Sequence, residues 1–174
     1  MRKRSTHLAA GAALIVAALA LLRAGGGPPS DSACAEVHRA PRLRPDYTAL
    51  VIPPNIAPLN FVVAEPGKRH FARISGERGR AIEVAGRDGA IAIPLGPWRA
   101  LLAANRGGDL FVDVYAQESG GRWSRFERVR NHVAAEEIDS HLVYRWFRPS
   151  YTSHTPLGLY QRDLRTYAQT SLVR

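Results

Sequence analysis

Asp109-Leu110-Phe111-Val112-Asp113-Val114-Tyr115-Ala116 reads with a period of two along its whole length. Leu110, Val112, Val114 and Ala116 fall on one side and Asp109, Phe111, Asp113 and Tyr115 on the other, because successive side chains of an extended chain point to opposite faces. One face is core. Upstream, Ile82 and Val84 share one strand face and Ile91 and Ile93 share another. The turn composition Gly86-Arg87-Asp88-Gly89 between them predicts a hairpin. Downstream, Ser119-Gly120-Gly121 turns the chain into Trp123 to Val129, where neither face is cleanly apolar, as in a strand near a sheet edge. About five to seven short strands, with turn signals roughly every eight to twelve residues, predict a mainly β fold: an antiparallel β-sandwich of immunoglobulin-like type.

Two helices interrupt this pattern. Pro97 suits a first helical turn, Trp98, Leu101 and Leu102 follow at i, i+3 and i+4, and Asn105, Gly107 and Gly108 form a stop. This predicts one short crossover helix. Leu157 to Tyr167 places Tyr160, Leu164 and Tyr167 on one side and Arg162, Asp163 and Arg165 on the other, which predicts a short C-terminal helix. A different kind of segment spans Pro45 to Phe61. It is apolar and almost uncharged, and Pro53, Pro54 and Pro58 lack backbone donors. It must run extended, as an edge strand or a polyproline stretch laid against a surface.

The 174-residue chain carries 24 basic and 15 acidic side chains, a formal charge of +9 that is nearly all arginine. From Glu36 onward 20 are basic and 14 acidic, leaving +6. No basic run occurs beyond Arg2-Lys3-Arg4, so the arginines are scattered and a nucleic-acid partner is not expected. Arg2, Lys3 and Arg4 precede the uncharged run Leu8 to Leu22, the pattern of an export signal or N-terminal anchor. The predicted destination is the periplasm or cell envelope, with membrane attachment through the N-terminus as an option. The expected organisation is a signal or anchor over 1–24, a flexible linker over 25–40, a sandwich domain over 41–150 and an extended or helical segment over 151–174. Cys34 is the lone cysteine, which excludes an intrachain disulfide; Ser32 and Ala33 before it make it a candidate for lipidation, whereas Asp31 argues against.

Signatures of chemistry are missing. The sequence shows no zinc-type histidine spacing, G-x-S-x-G elbow, phosphate loop or dinucleotide fingerprint, so no catalytic, cofactor or metal residues are assigned. Ala134-Ala135-Glu136-Glu137 reads as a first helical turn rather than a carboxylate cluster. Aromatic and guanidinium groups concentrate at Tyr144, Arg145, Tyr160 and Arg162, a combination suited to gripping another surface or an anion. One alternative is a binding module for an anionic envelope polysaccharide or lipid head group using Arg122, Arg125, Arg128 and Arg130. A remote alternative is a hydrolase using Asp139 or Asp163.

Several motifs occur in order: Pro45-Asp46-Tyr47; Val51 to Phe61; Ile93-Pro94 with Trp98, Leu101, Leu102 and Asn105; Ile138-Asp139-Ser140 with Leu142 to Arg145; and Leu159 to Leu164. Over roughly residues 41–167 they resemble the N-terminal region of large exported bacterial proteins known as TolB-like or cytochrome c biosynthesis proteins. The resemblance implies a β-rich leader ahead of a C-x-x-C-H covalent haem site and a WD-repeat-like β-propeller. With one cysteine, this chain has no C-x-x-C-H, so haem attachment is carried over to no residue here. The chain stops at Arg174, ahead of both features, and departs from the family pattern at Trp146 and His154. The expectation is therefore a non-catalytic exported scaffold, a fragment of a longer protein, whose partner is a downstream haem or propeller domain or another envelope protein.

Overall fold

The period-two stretch is the centre of the main sheet. In the computed structural model, which describes residues 33–86, 88–146 and 158–173, it forms β8 (Asp109–Gln117) and pairs on both sides. The element order begins with β1 (Cys34–Val37), β2 (Leu43–Arg44), β3 (Val51–Ile52) and β4 (Phe61–Val63). It continues with β5 (Arg69–Gly76), β6 (Ile82–Gly86), β7 (Ala90–Ile91) and helix α1 (Leu95–Ala104). After β8 come β9 (Trp123–Phe126), β10 (Val129–Val133), β11 (His141–Trp146), β12 (Gly158–Asp163) and β13 (Gln169–Val173). One flank of β8 carries β5 in an antiparallel ladder from Arg69↔Gln117 to Gly76↔Leu110, with β6 outside it.

The other flank is shared by β9 and β10. Tyr115 and Val112 are three residues apart, but their partners Arg125 and Val129 are four apart, a one-residue β-bulge. Beyond them β1 and β3 add in parallel to β9 and β10. The β2–β4–β7 sheet and α1 form a second layer over the inner face. A single apolar cluster joins the layers, with Ala72, Ile74, Val112 and Val114 from the main sheet, Phe61, Val63 and Ile91 from the small sheet, and Trp98, Leu101 and Leu102 from α1. The fold is mainly β and sandwich-like, as the alternation predicts.

Several elements differ from their predicted form. The hairpin between Ile82–Val84 and Ile91–Ile93 does not exist: β6 pairs with β5, and β7 pairs with β4. Gly89 explains the change of sheet. It has φ +80, a Cβ there would lie 2.6 Å from the Val63 carbonyl oxygen, and its own carbonyl accepts the Val63 N–H at 2.8 Å. The turn thus docks on β4 rather than folding back. The C-terminal helix is replaced by β12 and a turn. Asp163 Oδ1 accepts the Arg165 N–H at 2.8 Å, an Asx-type bond that ends extended structure in a turn, and β12 gains a full ladder with β11. Residues 134–137 form no helix, because the Ala134 N–H donates to the Ile52 carbonyl and so continues the β3–β10 pairing. The sheet also begins at Cys34, inside the stretch expected as linker. The export segment, residues 25–32 of that linker and His154 lie outside the described residues.

The proline segment runs extended, with Ile52, Pro54 and Ala57 buried. Trp98 fixes it to α1: the indole is 2 % exposed and its Nε1–H donates to the Ile56 carbonyl at 3.0 Å. Trp98→Ala is expected to cost about 3–5 kcal/mol. Trp98→Phe, which keeps most of the apolar volume, is expected to cost about 1–3 kcal/mol by leaving the Ile56 carbonyl short of its partner. Urea unfolding of the two variants separates packing from the hydrogen bond.

Candidate functional site

The C-terminal strands β11, β12 and β13 form a separate antiparallel meander. It hangs from the proline ribbon by few bonds. Ala57 N–H donates to the Leu164 carbonyl at 2.7 Å, and Leu164 N–H donates to Ser140 at 2.8 Å. The Asn55 side chain brackets Ile138, donating to its carbonyl at 2.7 Å and accepting its N–H at 3.2 Å. Arg99 reaches across from α1 to the Arg165 carbonyl at 3.2 Å. Burial pushes the Tyr167 phenol up, and the neighbouring Tyr47 adds to the effect.

The four aromatic and arginine residues singled out in the sequence divide between the two faces of this meander. Tyr144 and Tyr160 are direct cross-strand partners and stack at 6.0 Å between ring centroids. Arg162 lies 5.7 Å over the Tyr144 ring, and its guanidinium and the Tyr144 hydroxyl converge on Gln169 Oε1 at 2.9 and 2.5 Å. Gly158 makes room for this cluster, since a Cβ there would lie 2.7 Å from the Tyr160 ring. Arg145 is not part of it. It sits opposite Leu159, which in turn faces Val173, so Arg145 belongs to the other face.

That other face is what the sequence reading missed. Val143, Leu159 and Val173 stand on it at 56 %, 40 % and 57 % exposure, and Leu172, the extra residue of a register shift opposite Leu159 and Tyr160, is also exposed. Among the described side-chain positions of the three strands, Gly158 alone is buried. The signal was present in Val143, Leu159 and Leu172-Val173, but a helical reading of Leu157 to Tyr167 hid the shared face.

The four arginines of the β9–β10 region all meet acids, three carboxylates among them. Arg122 meets Glu118 at 3.5 Å, Arg125 and Arg128 meet Asp113 at 3.7 and 2.8 Å, and Arg130 meets Asp109 at 2.5 Å. Asp113 is 2 % exposed, and continuing the β10 register one step beyond Val112↔Val129 sets Arg128 opposite it. Charges alternate across the outer face of the whole sheet. Glu83 pairs in register with Arg73, Arg73 with Asp113, and Arg125 with Glu36. Beneath this ladder Phe71 and Tyr115 are buried edge to face at 6.1 Å. The arrangement leaves less uncompensated positive field than the net charge implies.

The remaining candidates are dispersed. Cys34 is half-buried in β1 opposite Trp123. His70 is buried and its Nε2 bonds the Glu65 carbonyl, His132 Nδ1 lies 3.3 Å from Asp109, and His141 bonds Ser140. Glu137 pairs with Arg106, while Asp139 is exposed. Arg165, through its side chain and its N–H, holds the Asp163 carboxyl down to about 2. Among the described residues no group of three or more His, Cys, Asp or Glu is placed to hold a metal ion, and no helix is long and apolar enough to cross a membrane. The chain matches no family model, and no curated protein or solved structure is similar to it. The family resemblance therefore rests on its motif residues alone.

Glu65 anchors the chain between β1 and β2. Its carboxylate takes Arg39 at 2.6 and 2.8 Å and the Arg42 N–H at 2.7 Å, and Arg39 above all holds it down to about 2 from 4.5. A depressed carboxylate stabilises the fold above its unfolded pKa and ceases to do so as pH falls through its folded one. Because both arginines are half exposed or more, the shift is worth on the order of 2 kcal/mol rather than its full nominal value. Stability measured by urea titration is expected to fall between about pH 4.5 and 2. In Glu65→Gln that loss is expected to be smaller by this amount, the difference between the two profiles excluding the other shifted carboxylates.

Proposed function

We propose that this protein is a non-catalytic, exported interaction module that docks through the C-terminal meander onto a second envelope domain. One observation carries the reading: a three-stranded sheet with almost no buried side chain of its own presents Val143, Leu159 and Val173 together on one face. Sheets of this size need an apolar face covered to be stable, and grouped exposed apolar residues mark contact sites. The Tyr144–Tyr160–Arg162–Gln169 cluster braces the opposite face. Covering the exposed halves of those three residues is worth about 3 kcal/mol gross, so pairing along the outer edges of β11 or β13, which carry no further strand among the described residues, would have to contribute the rest of a stable contact.

The partner proposed is the haem or propeller domain that the family resemblance implies, and Arg2-Lys3-Arg4 with Leu8 to Leu22 supports delivery to the cell envelope. The acid partners of Arg122, Arg125, Arg128 and Arg130 argue against an anionic polymer as the main ligand. Titration of a separately produced haem–propeller domain into the full chain is expected to give saturable binding, weakened about 10- to 100-fold by Leu159→Asp. That contact is expected to change little between low and high salt. A chain that ignores the domain, or binds it equally well with Leu159→Asp, contradicts the proposal.

A further inference from the structure

Among the described residues β6 forms a ladder with β5 alone, so the first part of its far side, around Ile82 and Glu83, is a sheet edge with no ladder partner there, while its end at Gly86 lies against Ala90 and Ile91 of β7. At the start of that edge, beside Ile82 and Glu83, lies a groove of about 780 Å³. Its lining includes Ile82, which faces the core, and also Glu83 and Arg73, which face outward. A cavity that meets side chains from both faces of one strand must lie off the strand's edge rather than over either face. The opposite wall is α1, through Pro97 and Leu101.

The separation of the two walls is fixed by Asn105, just past the end of α1. Its side chain accepts the Arg78 N–H at 3.0 Å and donates to the Arg78 and Leu101 carbonyls at 2.8 Å each, pinning the β5–β6 turn to the helix. Gly76 is required for this fit, as a Cβ there would lie 2.4 Å from the Asn105 amide. The groove is thus preformed, and its volume lies in the usual range for a binding site. Its charge is unbalanced: Arg73 and Arg80 line it against the single acid Glu83, and the Arg73–Glu83 contact is a loose 4.0 Å between exposed groups.

We propose that the open edge of β6 accepts an extended acidic peptide strand from a partner protein. The added strand completes the ladder with β6, lays alternate apolar side chains against Ile82, Pro97 and Leu101, and sets a carboxylate opposite Arg80. Strand addition draws its affinity from the backbone and its selectivity from alternate side chains, and both sets of groups are in place here. A small anionic amphiphile would use the arginines but leave the backbone edge bare, which makes the two distinguishable. The site is separate from the C-terminal meander and stands independently of the docking proposed there.

The test uses the full chain and a panel of fluorescein-labelled octapeptides alternating valine, leucine or phenylalanine with threonine and ending in two aspartates. A matching panel carries backbone N-methyl groups on one edge. Saturable anisotropy changes are expected for members of the first panel and not the second, with slowed amide hydrogen exchange at residues 82–86. Arg80→Glu, at an exposed position, is expected to weaken binding at least about tenfold, whereas Leu159→Asp leaves it unchanged. No binding by any peptide, equal binding of the N-methylated panel, or protection at β11 or β13 in place of β6 overturns the proposal.

Discussion

The shortage of backbone donors between Pro45 and Phe61 is the constraint on which the rest of this structure depends. Pro53, Pro54 and Pro58 confine the ribbon's ladder pairing to the two residues of β3 before its end at Phe61, so the other groups need individual partners. Leu50 N–H finds the buried Asn131 side chain, Ile52 C=O takes Ala134, Ile56 C=O takes the Trp98 indole, and Ala57 N–H takes Leu164. These four bonds lead to three parts of the chain: the end of β10, α1 and the turn after β12. The ribbon is thereby the common seam of the main sheet, the helix and the C-terminal meander, and its stiffness keeps the meander at the side of the sandwich rather than folded into it.

A second organising principle is the internal use of arginine. Glu65 and Asp113 are buried carboxylates, and each is met by two guanidinium groups that remain partly in solvent. Arginine suits this role because its planar fork can satisfy two carboxylate oxygens while its stem covers aromatic rings. Arg128 does both, pairing with Asp113 and lying 5.4 Å over Phe111, and Arg39 does the same with Glu65 and Phe126. Much of the basic composition is therefore structural.

The parts of the fold that were legible in sequence are those whose local pattern and tertiary environment agree. The β8 alternation, the α1 stretch from Pro97 to Leu102 and the extended ribbon each have one conformation that satisfies both. The β6–β7 hairpin was misread because Gly86 and Gly89 serve a change of sheet, which depends on the Val63 backbone far away in sequence. The C-terminal helix was misread because Tyr160, Leu164 and Tyr167 fit a helical face as well as a strand face, and pairing with β11 decides between them. The site followed the same logic. Tyr144, Tyr160 and Arg162 were identifiable by type and do come together, but which face they share, and that Arg145 leaves them, follows only from register.

Amide hydrogen exchange along the ribbon of the intact protein tests the seam most directly. If the ribbon unites the layers, the Ala57 amide exchanges only as fast as the central amides of β8, and its protection is lost with theirs as urea is raised. An Ala57 amide that exchanges freely while β8 stays protected would contradict the central claim, because the meander would then hang from an element that opens independently of the core.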